Sequence, residues 1–189
     1  MCGRLNVIDD TLCLIVSEML GIDFHTQTNT NLCPSENVAT IIRPDKYTQL
    51  DASWGIQPSW SKQLLINAKS ETVAEKPTFK SAFIGSRCLI PCTGWYEWKK
   101  QGRSKVKYSF THKEHQPFFM AGVLFNPTSP QVITLTTTPN KDCAEIHNRM
   151  PVLIKPSEIA FWFNASPEQL SPLMMATENS NIAIEKVTQ

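Results

Sequence analysis

Val38-Ala39-Thr40-Ile41-Ile42-Arg43-Pro44-Asp45-Lys46-Tyr47-Thr48-Gln49-Leu50-Asp51-Ala52-Ser53-Trp54 reads as two strands about a tight turn. The apolar run Val38 to Ile42 suits a pleated, buried strand, Arg43-Pro44-Asp45 supplies the turn, and Tyr47 to Trp54 alternates as the partner. A connection this short implies antiparallel pairing. The pattern recurs downstream at Cys88 to Ile90, Trp95 to Trp98, Val106 to Thr111, Pro117 to Phe125 and Gln131 to Thr138, with Gly102 in a basic turn between two of them. Upstream, Leu5 to Ile8 reads as a short strand.

Helices flank these strands. Asp9 or Asp10 can cap a helix that carries Leu12, Ile15, Val16, Met19 and Leu20 on one face and stops at Gly21. Thr26 to Asn31 is polar and loop-like, and Gly55 to Ser86 lacks periodicity, which suggests a long irregular surface element of the kind that often carries function. A short helix is expected over Lys141 to Ile146 and extended chain over Pro151 to Ile154. Two further helices follow, Pro156 to Phe163 and Pro167 to Met175, and Ile182 to Val187 is strand-like. With no repeat and no Pro/Gly/Ser linker, residues 1–189 are expected to form one α+β domain. Its architecture would be mainly antiparallel twisted sheets, or an open barrel, with flanking helices.

A chain of 189 residues with 41% hydrophobic and 19% charged content can bury a sizeable core. No stretch is apolar for the 18 or more residues that a membrane span needs. The candidate near the start, Thr11 to Leu20, contains Glu18 and follows two aspartates instead of a basic region, so neither a signal peptide nor a membrane partner is expected. The expected compartment is the cytoplasm, with nucleoid association when bound to DNA, or the nucleus in a eukaryote. The six cysteines, Cys2, Cys13, Cys33, Cys88, Cys92 and Cys143, show no paired C-x-x-C framework. No zinc, other metal or cofactor is expected, and all but Cys2 read as reduced structural thiols.

The net charge of +1 conceals an asymmetry: Lys62 to Lys107 holds ten Lys/Arg against three Glu, which leaves the remainder of the chain at −6. Trp54, Trp60, Phe79, Phe83, Trp95, Tyr96, Trp98 and Tyr108 lie in or beside that basic segment. Cations for phosphates and aromatic platforms for unstacked bases suit a nucleic-acid strand, and a solvated basic loop beside a tryptophan-rich core fits the composition equally well.

Four places could carry chemistry. Cys2 follows the initiator methionine, so loss of Met1 would put an α-amine and a thiol on one residue. Such an aminothiol condenses with an aldehyde through nitrogen and closes a five-membered ring through sulfur, although most chain termini have no task. Asn67-Ala68-Lys69-Ser70-Glu71-Thr72 is either an ordinary polar loop or a phosphate-holding tract. In Gly94-Trp95-Tyr96-Glu97-Trp98, a two-residue period puts Glu97 on the face of Trp95. There it is either desolvated against indole and fit to move protons near neutral pH, or paired with a nearby lysine in solvent. Ile146-His147-Asn148-Arg149-Met150-Pro151 offers a histidine for proton transfer and an arginine for bidentate phosphate binding, or else a core histidine satisfied by backbone.

Taken together in order, these motifs resemble the SRAP (SOS-response-associated peptidase) family. The resemblance rests on Cys2-Gly3-Arg4, Asn31-x-x-Pro34, Trp54-Gly55 with Pro58-x-Trp60, the 67–72 tract, Pro91 through Trp98, Ala121-Gly122, and Ile146-His147-x-Arg149-Met150-Pro151. It implies an abasic-site processing protein that forms a covalent thiazolidine with the opened deoxyribose in single-stranded DNA, after self-processing peptidase removal of Met1. By that resemblance Cys2 is the nucleophile, Asn67 holds the terminal amine, Glu97 manages protons during sugar opening and ring closure, and His147 assists Schiff-base formation and reversal. Arg4, Lys69, Lys80 and Arg149 would contact DNA phosphates, and Trp60 would pack against the separated strand. A monomer is the expected state, with replication-fork proteins as possible further partners. Where the family usually has arginine this chain has Lys69, and a planar contact becomes a point charge, implying weaker or more salt-sensitive binding. Two other classes fit some of the residues: a cysteine peptidase acting on other proteins through Cys2, His147 and Glu97, and a non-covalent single-strand-binding module using only the basic aromatic segment.

Overall fold

The computed structural model describes residues 3–176 and 181–188. Strand β1 (Leu5–Val7) leads into helix α1 (Asp9–Leu20), which buries Leu12 and Val16. Gly21 ends the helix at φ 64°, a left-handed conformation that glycine adopts without strain, and its N–H donates to the Ser17 carbonyl at 2.9 Å. The expected aspartate cap is not made: Ile8 holds the capping position, and the Asp9 carboxylate instead accepts from the Asp10 N–H (3.0 Å) and the Thr28 hydroxyl (2.6 Å). Both acids still lie in the first turn, where the helix dipole favours negative charge. Met19, counted on the core face, is exposed at the rim.

Part of the polar segment read as loop is strand β2 (Asn29–Leu32), at the edge of its sheet. An edge strand leaves side chains in water, so its sequence carries little apolar signal. The opening hairpin forms β3 (Asn37–Ile42) and β4 (Thr48–Trp54), in register from Asn37↔Ser53 to Ile42↔Thr48. Within the stretch read as irregular lie β5 (Asn67–Lys69) and helix α2 (Pro77–Gly85), which begins on a proline and buries Phe79, Ala82 and Phe83. The next five strands fall where expected: β6 (Arg87–Cys92), β7 (Gly94–Gln101), β8 (Ser104–His112), β9 (Phe118–Phe125) and β10 (Gln131–Thr137).

Helix α3 (Lys141–Ala144) is capped by Asn140, whose side chain accepts from the Cys143 N–H. Two-residue strands β11 (Met150–Pro151) and β12 (Leu153–Ile154) follow, then helix α4 (Ile159–Asn164) and strand β13 (Ile182–Lys186). The last expected helix, Pro167–Met174, winds as a 3-10 helix and contains Pro172, which has no N–H to donate.

Among the described residues the strands form two sheets. One has the order β13-β8-β7-β1-β2; the other runs β11-β10-β4-β3-β6-β9-β12. Because β10 also pairs with β9, the strands β10, β4, β3, β6 and β9 close into a ring. The barrel expected to be open is closed at this seam. The pairs β10–β4 and β10–β5 are parallel, and the other described pairs are antiparallel, so the fold is α+β with mainly antiparallel sheets. Trp54, Trp95 and Trp162 are fully buried. No helix among the described residues is long and apolar enough to cross a membrane.

Arg87, one of the ten cations of the basic segment, is an internal strut. Its guanidinium donates to the carbonyls of Phe83, Trp162, Phe163 and Ala165 at 2.8–3.2 Å, which ties α2 and α4 to β6.

Gly94 opens β7 beside β8 so tightly that a Cβ there would sit 2.2 Å from the Phe110 carbonyl oxygen. Gly94→Ala is expected to force the two backbones apart and cost about 2–3 kcal/mol, measurable as a fall in the urea midpoint at unchanged m.

Candidate active site

The site is assembled across β10. Asn67 on β5 lies opposite Thr134 and Lys69 lies opposite Thr136 in the parallel pair. The Thr134 hydroxyl donates to Asn67 Oδ1, which turns the amide oxygen toward β10 and its Nδ2 away. One residue past β5, the Ser70 N–H donates to the Thr136 carbonyl at 2.8 Å. The same carbonyl accepts from Arg149 Nη2 at 2.5 Å, so a single peptide oxygen joins the 67–72 tract to the 147–149 segment.

His147 is placed by its own backbone and by α3. Its N–H donates to the Cys143 carbonyl at 3.0 Å, and its Nδ1 lies 3.1 Å from the Arg149 backbone nitrogen. Nδ1 thus faces both a backbone donor and a backbone acceptor of Arg149, and which of the two it engages follows the tautomer of the ring. Burial pushes the pKa of His147 below its usual value, while the nearby Arg149 carbonyl, 3.3 Å from Nδ1, pulls the other way.

Glu97 lies on the Trp95 face, as the two-residue period predicts. Both are buried, whereas Tyr96 and Trp98 on the opposite face are half-buried. The solvated alternative for this carboxylate is therefore excluded: Glu97 is 3% exposed. Its desolvation raises the carboxyl from the ordinary 4.5 to about 7, partly offset by a hydrogen bond from the Trp98 backbone. Burial also raises the Cys143 thiol to about 12, and the charges of Asp142 and Glu97 add to that shift, which locates Cys143 within electrostatic reach of Glu97. The same cysteine accepts the His147 N–H through its carbonyl. Strands β1 and β7 bring the start of the chain toward Glu97: Leu5 pairs with Trp95, and the Tyr96 N–H donates to the Arg4 carbonyl at 3.0 Å. Cys2 lies outside the described residues.

Other residues expected to touch DNA are dispersed. Arg4 is half-buried with Nη1 on the Gly3 carbonyl (2.9 Å), and Lys69 is exposed at the end of β5. Trp60 stands out at 68% exposure between β4 and β5. Lys80 is on α2, which packs against β6 and β9 and not on the edge that carries Asn67 and Lys69. On the outer face of β7, Lys107 Nζ lies 3.8 Å from the centre of the Tyr96 ring and 5.8 Å from that of Trp98. Arg149 is not presented as a free clamp: Glu71 accepts from Nη1 at 2.6 Å and from Nη2 at 2.7 Å, and this pairing lowers the Glu71 carboxyl to about 2.

Sequence reasoning gave no role to Thr134, Thr136 or Cys143, and quoted Glu71 only as part of its tract. The run Thr134-Leu135-Thr136-Thr137 was the available signal, because hydroxyls on a buried strand must find partners. Among the described residues there is no group of three or more His, Cys, Asp or Glu placed to hold a metal ion.

Comparison with known proteins gives a consistent family. The model of the SOS response associated peptidase (SRAP) family matches residues 1–189. The chain is 29% identical to the abasic site processing protein YoqW of Bacillus subtilis, over 100% of this chain and 92% of that protein. It is also 29% identical to the abasic site processing protein YedK of Escherichia coli, over 86% of this chain and 79% of the relative. Its fold superposes on a crystal structure of a protein from Bordetella bronchiseptica with a TM-score of 0.85 at 19% identity, covering 100% of both chains.

Since the folded state holds the Glu97 proton more tightly than the unfolded chain, stability should fall as pH rises from about 4.5 to about 7. Glu97→Gln should flatten that dependence and raise the melting temperature at pH 8 by about 2–6 °C, as thermal melts across pH would report.

Proposed function

Because the chain belongs to the SRAP family, matched over residues 1–189, we propose that it captures abasic sites in single-stranded DNA as a covalent thiazolidine on Cys2. The observation that carries the proposal is Glu97: a buried carboxyl raised to about 7, on the strand to which the chain's first described residues pair. A group with that pKa donates and accepts protons with nearly equal ease at neutral pH. The family relatives of similar length bear the name abasic site processing protein, which supports the same substrate.

The chemistry balances without a cofactor. Hydrolysis first removes Met1, because an acylated nitrogen cannot form an imine. The freed amine of Cys2 adds to the aldehyde carbon of the opened deoxyribose and water leaves. The thiol then adds across the C=N bond, forming the C–S bond, and its proton ends on nitrogen. In this reading the protonated Glu97 supplies the proton that opens the sugar, and its carboxylate takes one back at ring closure. His147 relays the proton that leaves with water. Asn67, oriented by Thr134, positions the amine. The thiol needs no unusual activation, since an unperturbed cysteine of pKa about 8.5 already supplies a few per cent thiolate near pH 7. An abasic nucleotide also lacks the base that stacking would hold in the helix. Arg4, Lys69 and Lys80 supply phosphate contacts and Trp60 an aromatic face, and the unit acts as a monomer in the compartment that holds the DNA.

Mature protein mixed with a single strand bearing one abasic site should give a shifted band that survives heat and detergent, with a mass equal to both components less one water. Cys2→Ala should abolish it; an equally stable adduct from that variant would sink the thiazolidine. Asn67→Ala and His147→Ala should slow its formation about 10- to 100-fold. Lys69→Ala should weaken binding and lower the slope of log affinity against log salt by about 0.7. Turnover of unrelated peptides by protein lacking Met1 would instead favour the peptidase reading.

A further inference from the structure

Arg149 has little of its guanidinium left to offer. A guanidinium grips an oxyanion along either of two planar edges, Nη1/Nη2 or Nη2/Nε. Glu71 fills the first with both carboxylate oxygens, at 2.6 and 2.7 Å. On the second, the other hydrogen of Nη2 goes to the Thr136 carbonyl, and Nε is buried without a hydrogen-bond partner among the described residues. One Nη1 hydrogen remains for an incoming group.

The two partners differ in access. The Glu71 side chain is 44% exposed and the Arg149 side chain 13%. Besides Arg149, the described side-chain contact of the Glu71 carboxylate is a 3.5 Å approach from the Ser70 hydroxyl. The anion therefore sits on the solvent side of the pair, held otherwise by its own backbone N–H and the Ser70 hydroxyl, while the cation is anchored from beneath by Thr136. A phosphodiester presents the same pair of oxygens as a carboxylate and fits the same edge.

We propose that Glu71 is a specificity-determining residue that occupies the phosphate-binding edge of Arg149 as an internal anion, so that a DNA phosphodiester gains this contact only by displacing it. The inference rests on the reading that this face meets a single strand. Exchange of one anion for another on the same fork yields little net free energy. Arg149 therefore adds little to the binding of intact strands, and retention falls to strands that react covalently.

The experiment measures binding of a fluorescent single strand without any abasic site, by anisotropy across a salt series. Glu71→Gln should bind about fivefold more tightly at low salt, with a log affinity against log salt slope steeper by about 0.7, the signature of one additional phosphate contact. Glu75→Gln, which removes an exposed charge from the same turn, should leave the slope unchanged, and adding Arg149→Gln to Glu71→Gln should return the slope to that of the wild type. Should Glu71→Gln fail to melt cooperatively, Glu71→Asp, whose carboxylate reaches the fork less well, should change affinity and slope in the same direction. Equal slopes, weaker binding, or tightening that persists without Arg149 would overturn the proposal. A wild-type protein that cross-links abasic strands while Glu71→Gln binds no tighter refutes the role of Glu71 alone. A wild-type protein that neither binds nor cross-links refutes the functional reading and this inference with it.

Discussion

Strand β10 carries an unusual hydrogen-bonding burden, and the rest of the structure is arranged around meeting it. Its seven residues are buried or nearly so, and buried peptide groups must be paired. Antiparallel β9 and then β11 lie along one edge, parallel β4 and then β5 along the other, and none of the four covers the whole strand. The pairings with β4 and β9 close the barrel, and those with β5 and β11 bring two distant segments against opposite edges of the same strand. Asn67 arrives with β5, and Arg149, with His147 two residues before it, arrives just ahead of β11. The closure of the barrel and the assembly of the site are one event.

The second constraint is the carboxyl on β7. Strand alternation leaves Glu97 no choice of face once Trp95 is buried, and the close approach at Gly94 holds β7 against β8. A carboxylate kept from water is costly unless paired or protonated. Its raised pKa is therefore a consequence of packing, and the fold retains a proton that an exposed glutamate would have lost. Burial shifts His147 in the opposite sense, because it disfavours the charged form of each group.

Much of this was legible from periodicity. The hairpin of β3 and β4, the strands β6 to β10, helix α1 and the face of Glu97 follow from local pattern, because each element's apolar residues repeat at its own period. What escaped was non-local. β5 is three residues long and exists because β10 offers an edge; nothing in Asn67-Ala68-Lys69 alone announces a strand. β2 is polar because it is an edge, and α2 shows only three buried positions in nine. The site residues stood out by type, but their support did not. Thr134 and Thr136 look like ordinary β-branched strand residues until the strands beside them are known.

Arg149 shows the limit most sharply. Its type and its place beside His147 argue for a phosphate clamp, and the argument from type is sound: a planar fork does match two oxyanion oxygens. Sequence cannot say whose oxygens. Glu71 lies 78 residues away and faces Arg149 only because Ser70 and Arg149 meet at one Thr136 carbonyl. The acid and the base of that pair reside in the two motifs that sequence singled out separately, so the tract that carries Lys69 also supplies an anion of its own. A cation presented to DNA without a partner would bind every strand it met. One already balanced by an internal carboxylate must give that partner up before its Nη1/Nη2 edge can take another.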